Sequence, residues 1–180
     1  ADQVVSQLLN TQEFLTRPHA PGVLSEFAIM IGSNPETTST NHLLISVTDS
    51  DLTPDIQQAL LSGLGTGLNR RGTSLNTILT SDKTPVAVRQ QVEQLFQRAA
   101  MIARMDKSEL RYRLAAVRLL SYANTKTAIQ NLPALLSPQS PKELQLATVL
   151  ALGSHDPQAT TAPLLAGWKT YSPEVRRSVV

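Results

Sequence analysis

The residues of this chain best equipped for chemistry are three histidines, a glycine run, a short acidic stretch and a series of arginines. His19, His42 and His155 form no HxH, HxxxH or HExxH spacing, and no carboxylate is placed to complete a metal triad. Surface or capping roles are therefore expected for them. Asp49, Asp51 and Asp55 make an acidic loop without the glycine and terminal glutamate of an EF-hand, which argues against calcium. Gly63-Leu64-Gly65-Thr66-Gly67 resembles a phosphate-cradling loop in glycine content only. It lacks the lysine–hydroxyl pair, and no strand precedes it. Gly63 and Gly67 lie four apart in a helical pattern, so close approach of a second helix is the expected role. Serines and threonines abound, but neither GxSxG nor SxxK occurs. The absence of cysteine excludes disulfides, thiol nucleophiles, iron–sulfur clusters and covalent haem attachment from this stretch. No catalytic, cofactor-binding or metal-binding residue is assigned, and no cofactor is expected in this domain.

Arginines supply the remaining signal. Arg104, Arg111 and Arg118 recur every seven residues, and Arg111 and Arg118 should share one helix face. With Arg89, Arg98, Arg113, Lys126 and Lys142 they would suit phosphate or an acidic partner. Arg104, Arg111, Arg118 and Lys142 are the candidate docking surface. Charge is uneven along the chain. Residues 1–83 hold four Lys/Arg against eight acids, a net −4; residues 84–180 hold twelve against six, a net +6. A solvated helix surface explains this pattern as simply as a binding face does. Against nucleic acid stand the total charge of only +2 and the 4% of aromatic residues, too few for a basic stripe interleaved with stacking rings.

The elements that must position these groups read as helices. Leu, Ala and Val dominate the 41% of hydrophobic residues, which suits helix-on-helix packing better than a sandwich or barrel. Thr53-Pro54, Thr84-Pro85, Ser140-Pro141 and Ser172-Pro173, with Asn34-Pro35 and Asp156-Pro157, pair an N-cap oxygen with proline at the first helical position. Ser108 is a cap without proline. Gly32 and Gly153 read as helix stops, and Asn69-Arg70-Arg71-Gly72 as a stop with an αL glycine. The resulting helices lie near 3–16, 21–32, 35–47, 54–71, 74–81, 85–105, 108–122, 125–136, 141–153, 157–169 and from 173 onward. Only 41–47 leaves room for a strand. Val88, Val92, Leu95, Ala99 and Ile102, and Leu110, Leu114, Val117 and Leu120, form apolar stripes. Trp168 and Tyr171 fall at a helix end, where an aromatic ring closes a core.

A repeat organises the second half. Leu114-Ala115-Ala116-Val117 aligns with Leu146-Ala147-Thr148-Val149 at a spacing of 32, as does Ser140-Pro141 with Ser172-Pro173. A unit of two helices and two turns cannot bury its apolar stripe alone and must stack on a neighbour. The expected fold is all-α, an α-solenoid of stacked antiparallel helix pairs in a HEAT/ARM-like superhelix. One repeat domain would fill 1–180: an irregular N-terminal repeat at 1–50, middle repeats at 51–107 and two clear 32-residue repeats at 108–180, the last incomplete. Ala1 in place of Met and the helix begun at Pro173 suggest a piece of a longer protein. No apolar stretch approaches the roughly 20 residues of a membrane span.

Ala59-Leu60-Leu61-Ser62-Gly63-Leu64 through Gly67-Leu68-Asn69-Arg70-Arg71-Gly72 resembles a segment of large exported planctomycete-type proteins, the membrane-bound dehydrogenase or haem-binding CxxCH family. Phe27–Gly32, Leu136–Pro141, Glu143–Ala147, Trp168 and Ser172–Arg177 are similar to other parts of its HEAT-like helical region. The resemblance covers only that region, between a propeller-like dehydrogenase part and a c-type cytochrome, so no catalytic or haem residue carries over. It implies a spacer or docking module whose partners are neighbouring domains or another protein, at a periplasmic or cell-envelope location. The residues leave two other classes open: nucleic-acid or phosphate binding by the basic half, and a helical enzyme with an acid/base pair between repeats.

Overall fold

The computed structural model describes residues 2–48 and 51–179, whose regular elements are all helices, with no strand among the described residues. The chain forms two compact units, Ala1–Leu95 and Phe96–Val180, with the boundary inside one helix. In the first lie α1 (Asp2–Leu9), α2 (Gln12–Leu15), α3 (Ala20–Ser33), α4 (Thr37–Val47), α5 (Pro54–Arg70) and α6 (Leu75–Thr80). Helix α7 (Val86–Arg104) carries the boundary. The second unit continues with α8 (Leu110–Leu120), α9 (Thr125–Asn131), α10 (Lys142–Gly153), α11 (Pro157–Ala166) and α12 (Pro173–Val179), plus 3₁₀ turns at Pro133–Leu136 and Trp168–Thr170. The segment that left room for a strand is the second half of α4.

Helix α5 is the centre of the first unit. It is buried on most of its circumference, from Ile56 and Leu60 to Leu64 and Leu68, and packs chiefly on α3, with α4 and α6 alongside. Three glycines bring α3 and α5 into backbone contact. A Cβ on Gly63 would lie 2.4 Å from the Ser25 carbonyl oxygen, on Gly67 2.3 Å from that of Ile29, and on Gly32 2.5 Å from that of Leu64. These distances allow no side chain, so the Gly63/Gly67 expectation of close helix approach holds. Gly32, read from sequence as a stop, sits inside α3 and completes the crossing. Two polar ties lock the ends. Gln57 Nε2 donates to the Val47 carbonyl at the close of α4, and Arg71 donates to the Asn34 carbonyl at the close of α3. Gly72 has φ +75°. The Gly72 N–H donates to Asn69 O and the Thr73 N–H to Leu68 O, the paired bonds of a Schellman stop.

Helix packing in the second unit is periodic. Helices α8, α10 and α12 pack in sequence, each on the next, and α9 packs on α11. α8 and α10 start 32 residues apart, as do α9 and α11; α12 follows α10 by 31. Leu120 and Leu152 are equivalent and fully buried, as are Ala116 and Thr148. Pro133 removes an N–H and crowds the preceding turn, so α9 ends at Asn131 and the expected helix 125–136 finishes in a 3₁₀ turn. The expected helix 3–16 breaks at Thr11, whose backbone is extended and whose hydroxyl turns back to Gln7 O.

The helix starts differ in chemistry from the dipeptide reading. Asp156 Oδ1 accepts from the Gln158 N–H and Ser172 Oγ from the Val175 N–H, as a cap should. Thr53 makes no side-chain cap, Ser140 lies outside α10 because Pro141 takes the N-cap, and α8 is capped at Glu109 instead of Ser108. Asn34 closes α3 and accepts from Glu36 N–H in a local turn. Asn124, without a following proline, is the true cap of α9 and stands 32 residues before Asp156.

Candidate functional site

The four candidate cations are exposed, and those that are bonded have different partners. Arg104 ends α7, and its Nη2 donates to Gln130 O at 2.9 Å and Asn131 O at 3.4 Å, where it sits against the negative end of α9. Arg111 and Arg118 both lie on the exposed face of α8, so the shared face expected from their spacing is present. Arg111 is occupied: Nε reaches Glu109 Oε2 at 3.0 Å, and the guanidinium lies 4.7 Å from the Tyr112 ring centroid. Lys142, the first residue of α10, pairs with Glu174 of α12, and this bond holds the Glu174 carboxyl below its ordinary range. Of the four, Arg118 alone makes no side-chain bond among the described residues.

The other cations divide by burial. Arg98 and Lys126 are exposed, and Arg89 is half-buried. Arg113, grouped with them in sequence, has a side chain only 6% exposed. Its Nε donates to Ala103 O at 2.9 Å and its Nη1 pairs with Asp106 at 3.1 Å. It is a structural tie first. The equivalent positions repeat the device. Gln145 Nε2 donates to Ser137 O at 3.1 Å and Ser140 O at 2.9 Å, and Arg176 Nη2 to Lys169 O at 3.1 Å. Gln145 and Arg176 therefore each pin the turn that enters their own helix, and Arg113 ties the start of α8 to the last turn of α7. Sequence reasoning missed Gln145 and Arg176 in this role; the 32-residue step from Arg113 points to Gln145, while Arg176 follows Gln145 by 31, the same offset as α12 from α10.

A cleft of about 530 Å³ opens beside Arg113, lined by Arg104, Asp106, Leu135, Ser137, Gln139 and Ser140 among others. The sequence signalled only the two arginines. Elsewhere, His42 Nδ1 lies 3.4 Å from Asp2 Oδ2, and His19 sets its ring edge-on to Phe14. His155 is half-buried at the end of α10 and bonds to the Leu120 backbone. Burial lowers its pKa, and that hydrogen bond opposes the shift. Asp49 lies outside the described residues. Among those described, no three His, Asp or Glu side chains gather as metal ligands, and no helix is long and apolar enough to cross a membrane. Tyr171 is buried against Gly167, where a Cβ would lie 2.4 Å from the ring; Trp168 is half-exposed. A scan against protein-family models, a search of curated proteins and a search of solved structures each found no match to this chain.

Proposed function

We propose that this chain is a non-catalytic helical-repeat module of HEAT/ARM type, a spacer or docking surface within a larger assembly. The observation that carries the reading is the packing of the second unit: α8, α10 and α12 follow one another in one row and α9 and α11 in a second, at a step of 32 residues. That is how stacked helix pairs bury stripes that no single pair can bury. The resemblance to the helical region of exported membrane-bound dehydrogenase and haem-binding CxxCH proteins suggests a parent redox protein of the cell envelope, with neighbouring domains as the first partners. Arg111 and Arg118, two turns apart on the exposed face of α8, are the docking residues of this reading.

The nucleic-acid reading draws less support. Arg111, Arg113 and Lys142 are already paired with carboxylates of this chain, and the 4% of aromatic residues gives the remaining cations few rings for base stacking. The test is an interaction assay between the purified chain and its flanking domains or a candidate partner, run beside Arg111→Glu/Arg118→Glu. Binding that the double variant loses supports a docking face, and absence of binding by either protein leaves a spacer. A cofactor absorbance in the purified chain, or turnover by it alone, would sink the proposal.

A further inference from the structure

We infer that the cleft beside Arg113 binds the phosphate group of a small phosphomonoester or of free phosphate, and that Asp106 holds the anion's place until the ligand arrives. Four segments build the site: the end of α7 with the turn behind it, the first turn of α8, the 3₁₀ turn Pro133–Leu136, and the turn of residues 137–141 that enters α10. Each guanidinium is anchored by one edge. Arg113 spends Nε on Ala103 O, and Arg104 spends Nη2 on the carbonyls of Gln130 and Asn131. Anchoring fixes both planes, so little side-chain entropy remains to be lost on binding. Arg104 Nε and Nη1, Arg113 Nη2, the Gln139 amide nitrogen and the Ser140 hydroxyl keep donors that no group among the described residues accepts. The Gln139 carbonyl oxygen is already taken by the Ser137 hydroxyl. The lining is thus rich in donors, and its two arginines outweigh one aspartate.

Donors that come from two guanidinia and from a separate turn suit a tetrahedral anion better than a planar one, which a single fork satisfies. The Asp106 contact gives the second argument. Its carboxylate side chain is 90% exposed, while the Arg113 side chain it pairs with is 6% exposed. An exposed carboxylate gains little from such a pair, whereas a buried guanidinium needs an anion. Asp106 is therefore the exchangeable member, and an incoming phosphate takes its place on Nη1. The cleft volume of about 530 Å³ exceeds what one phosphate fills and leaves room for an organic substituent.

This inference is independent of the scaffold reading, and its test does not depend on any protein partner. Amide resonances of the ¹⁵N-labelled chain are followed during titration with inorganic phosphate, O-phosphoserine and acetate at fixed ionic strength. Shifts confined to the 104–106, 113 and 137–142 segments are expected with phosphate. Tighter binding of O-phosphoserine assigns the ester as the source, and phosphate binding without it assigns the free ion. Arg104→Gln should weaken phosphate binding about tenfold, the loss of one charge-assisted contact worth ~1.4 kcal/mol. Asp106→Asn should strengthen it, because the competing carboxylate is gone while Arg113 keeps its bond to Ala103. Equal shifts with acetate, shifts elsewhere on the surface, or an Asp106→Asn variant that binds no better would overturn the assignment.

Discussion

In the first unit α3 and α5 meet backbone against backbone at Gly32, Gly63 and Gly67; in the second, α8, α10 and α12 pack in a row and bury Leu120, Leu152 and Val175. The polar ties divide less sharply. Gln57 and Arg113 each reach ten residues back to the last turn of the preceding helix, Arg71 crosses 37 residues to the close of α3, and Gln145 and Arg176 turn back on the turn that leads into their own helix. A contact made of backbone has no rotamers with which to absorb a change. One made of leucines and valines can repack. The first unit should therefore be intolerant at a few points, and the second tolerant at many.

The sharpest way to break this contrast is at Gly67. Alanine there meets the Ile29 carbonyl oxygen at 2.3 Å and the Ser33 nitrogen at 2.8 Å, so Gly67→Ala should destabilise by ~3 kcal/mol despite alanine's better helix propensity. Gly22, also in α3 but with nothing within 4 Å of its Cβ direction, serves as the control. Gly22→Ala should stabilise by ~0.5–1 kcal/mol. Urea unfolding of both variants checks the pair, and equal effects would remove the backbone-contact argument.

Next in size are the turn-pinning donors. Arg113→Met leaves the Ala103 carbonyl without its charged donor and should cost ~2 kcal/mol, with Gln145→Met nearer 1 and the less buried Arg176→Met below that. Guanidinium unfolding curves for the three variants would show the order. A reversed order would mean that burial of the donor does not set its worth.

Caps give a smaller effect and separate sequence signal from structural role. Asp156→Ala should lose ~1 kcal/mol, because its carboxylate accepts the Gln158 N–H. Thr53→Ala, at a dipeptide of the same appearance but with no side-chain cap, should stay within ~0.5 kcal/mol on thermal unfolding.

His155 is expected to give the gentlest response. Burial lowers its folded-state pKa, so the unfolded chain takes up the proton first as pH falls through the ordinary value near 6.5. Stability should be full above that value and decline below it. His155→Gln should flatten the fall in Tm between pH 7 and about 5.5, since the variant has nothing to protonate there. An unchanged slope would place the acid sensitivity on carboxylates instead.

Much of this arrangement was legible in the residues because it rests on local rules. The Schellman stop at Gly72 follows from one glycine after two arginines, and the α8–α10 register follows from the 32-residue echo. The α3–α5 crossing was half visible: Gly63 and Gly67 announced it, but their partner Gly32 stands near a helix end, and a stop and a contact ask for the same missing Cβ. The X-Pro dipeptides located helix starts to within a residue or two without revealing the capping atom, because proline fixes φ whether or not the residue before it accepts a bond. The arginines were least legible. A periodic cation on a helix reads as surface until the fold shows that Arg113 faces inward and that Arg104 lies on the end of α9, a contact separated by 26 residues of chain.

The ties made by Arg113, Gln145 and Arg176 span 10, 8 and 7 residues respectively. A closure that short travels with its own stretch of chain when the stretch is copied. Duplicating or excising one whole 32-residue unit would leave every surviving turn still fastened, with only the apolar seam between neighbours to be remade. Such a chain can lengthen by recombination before it improves by substitution. Glutamine at the second tie and arginine at the first and third supply the same kind of donor.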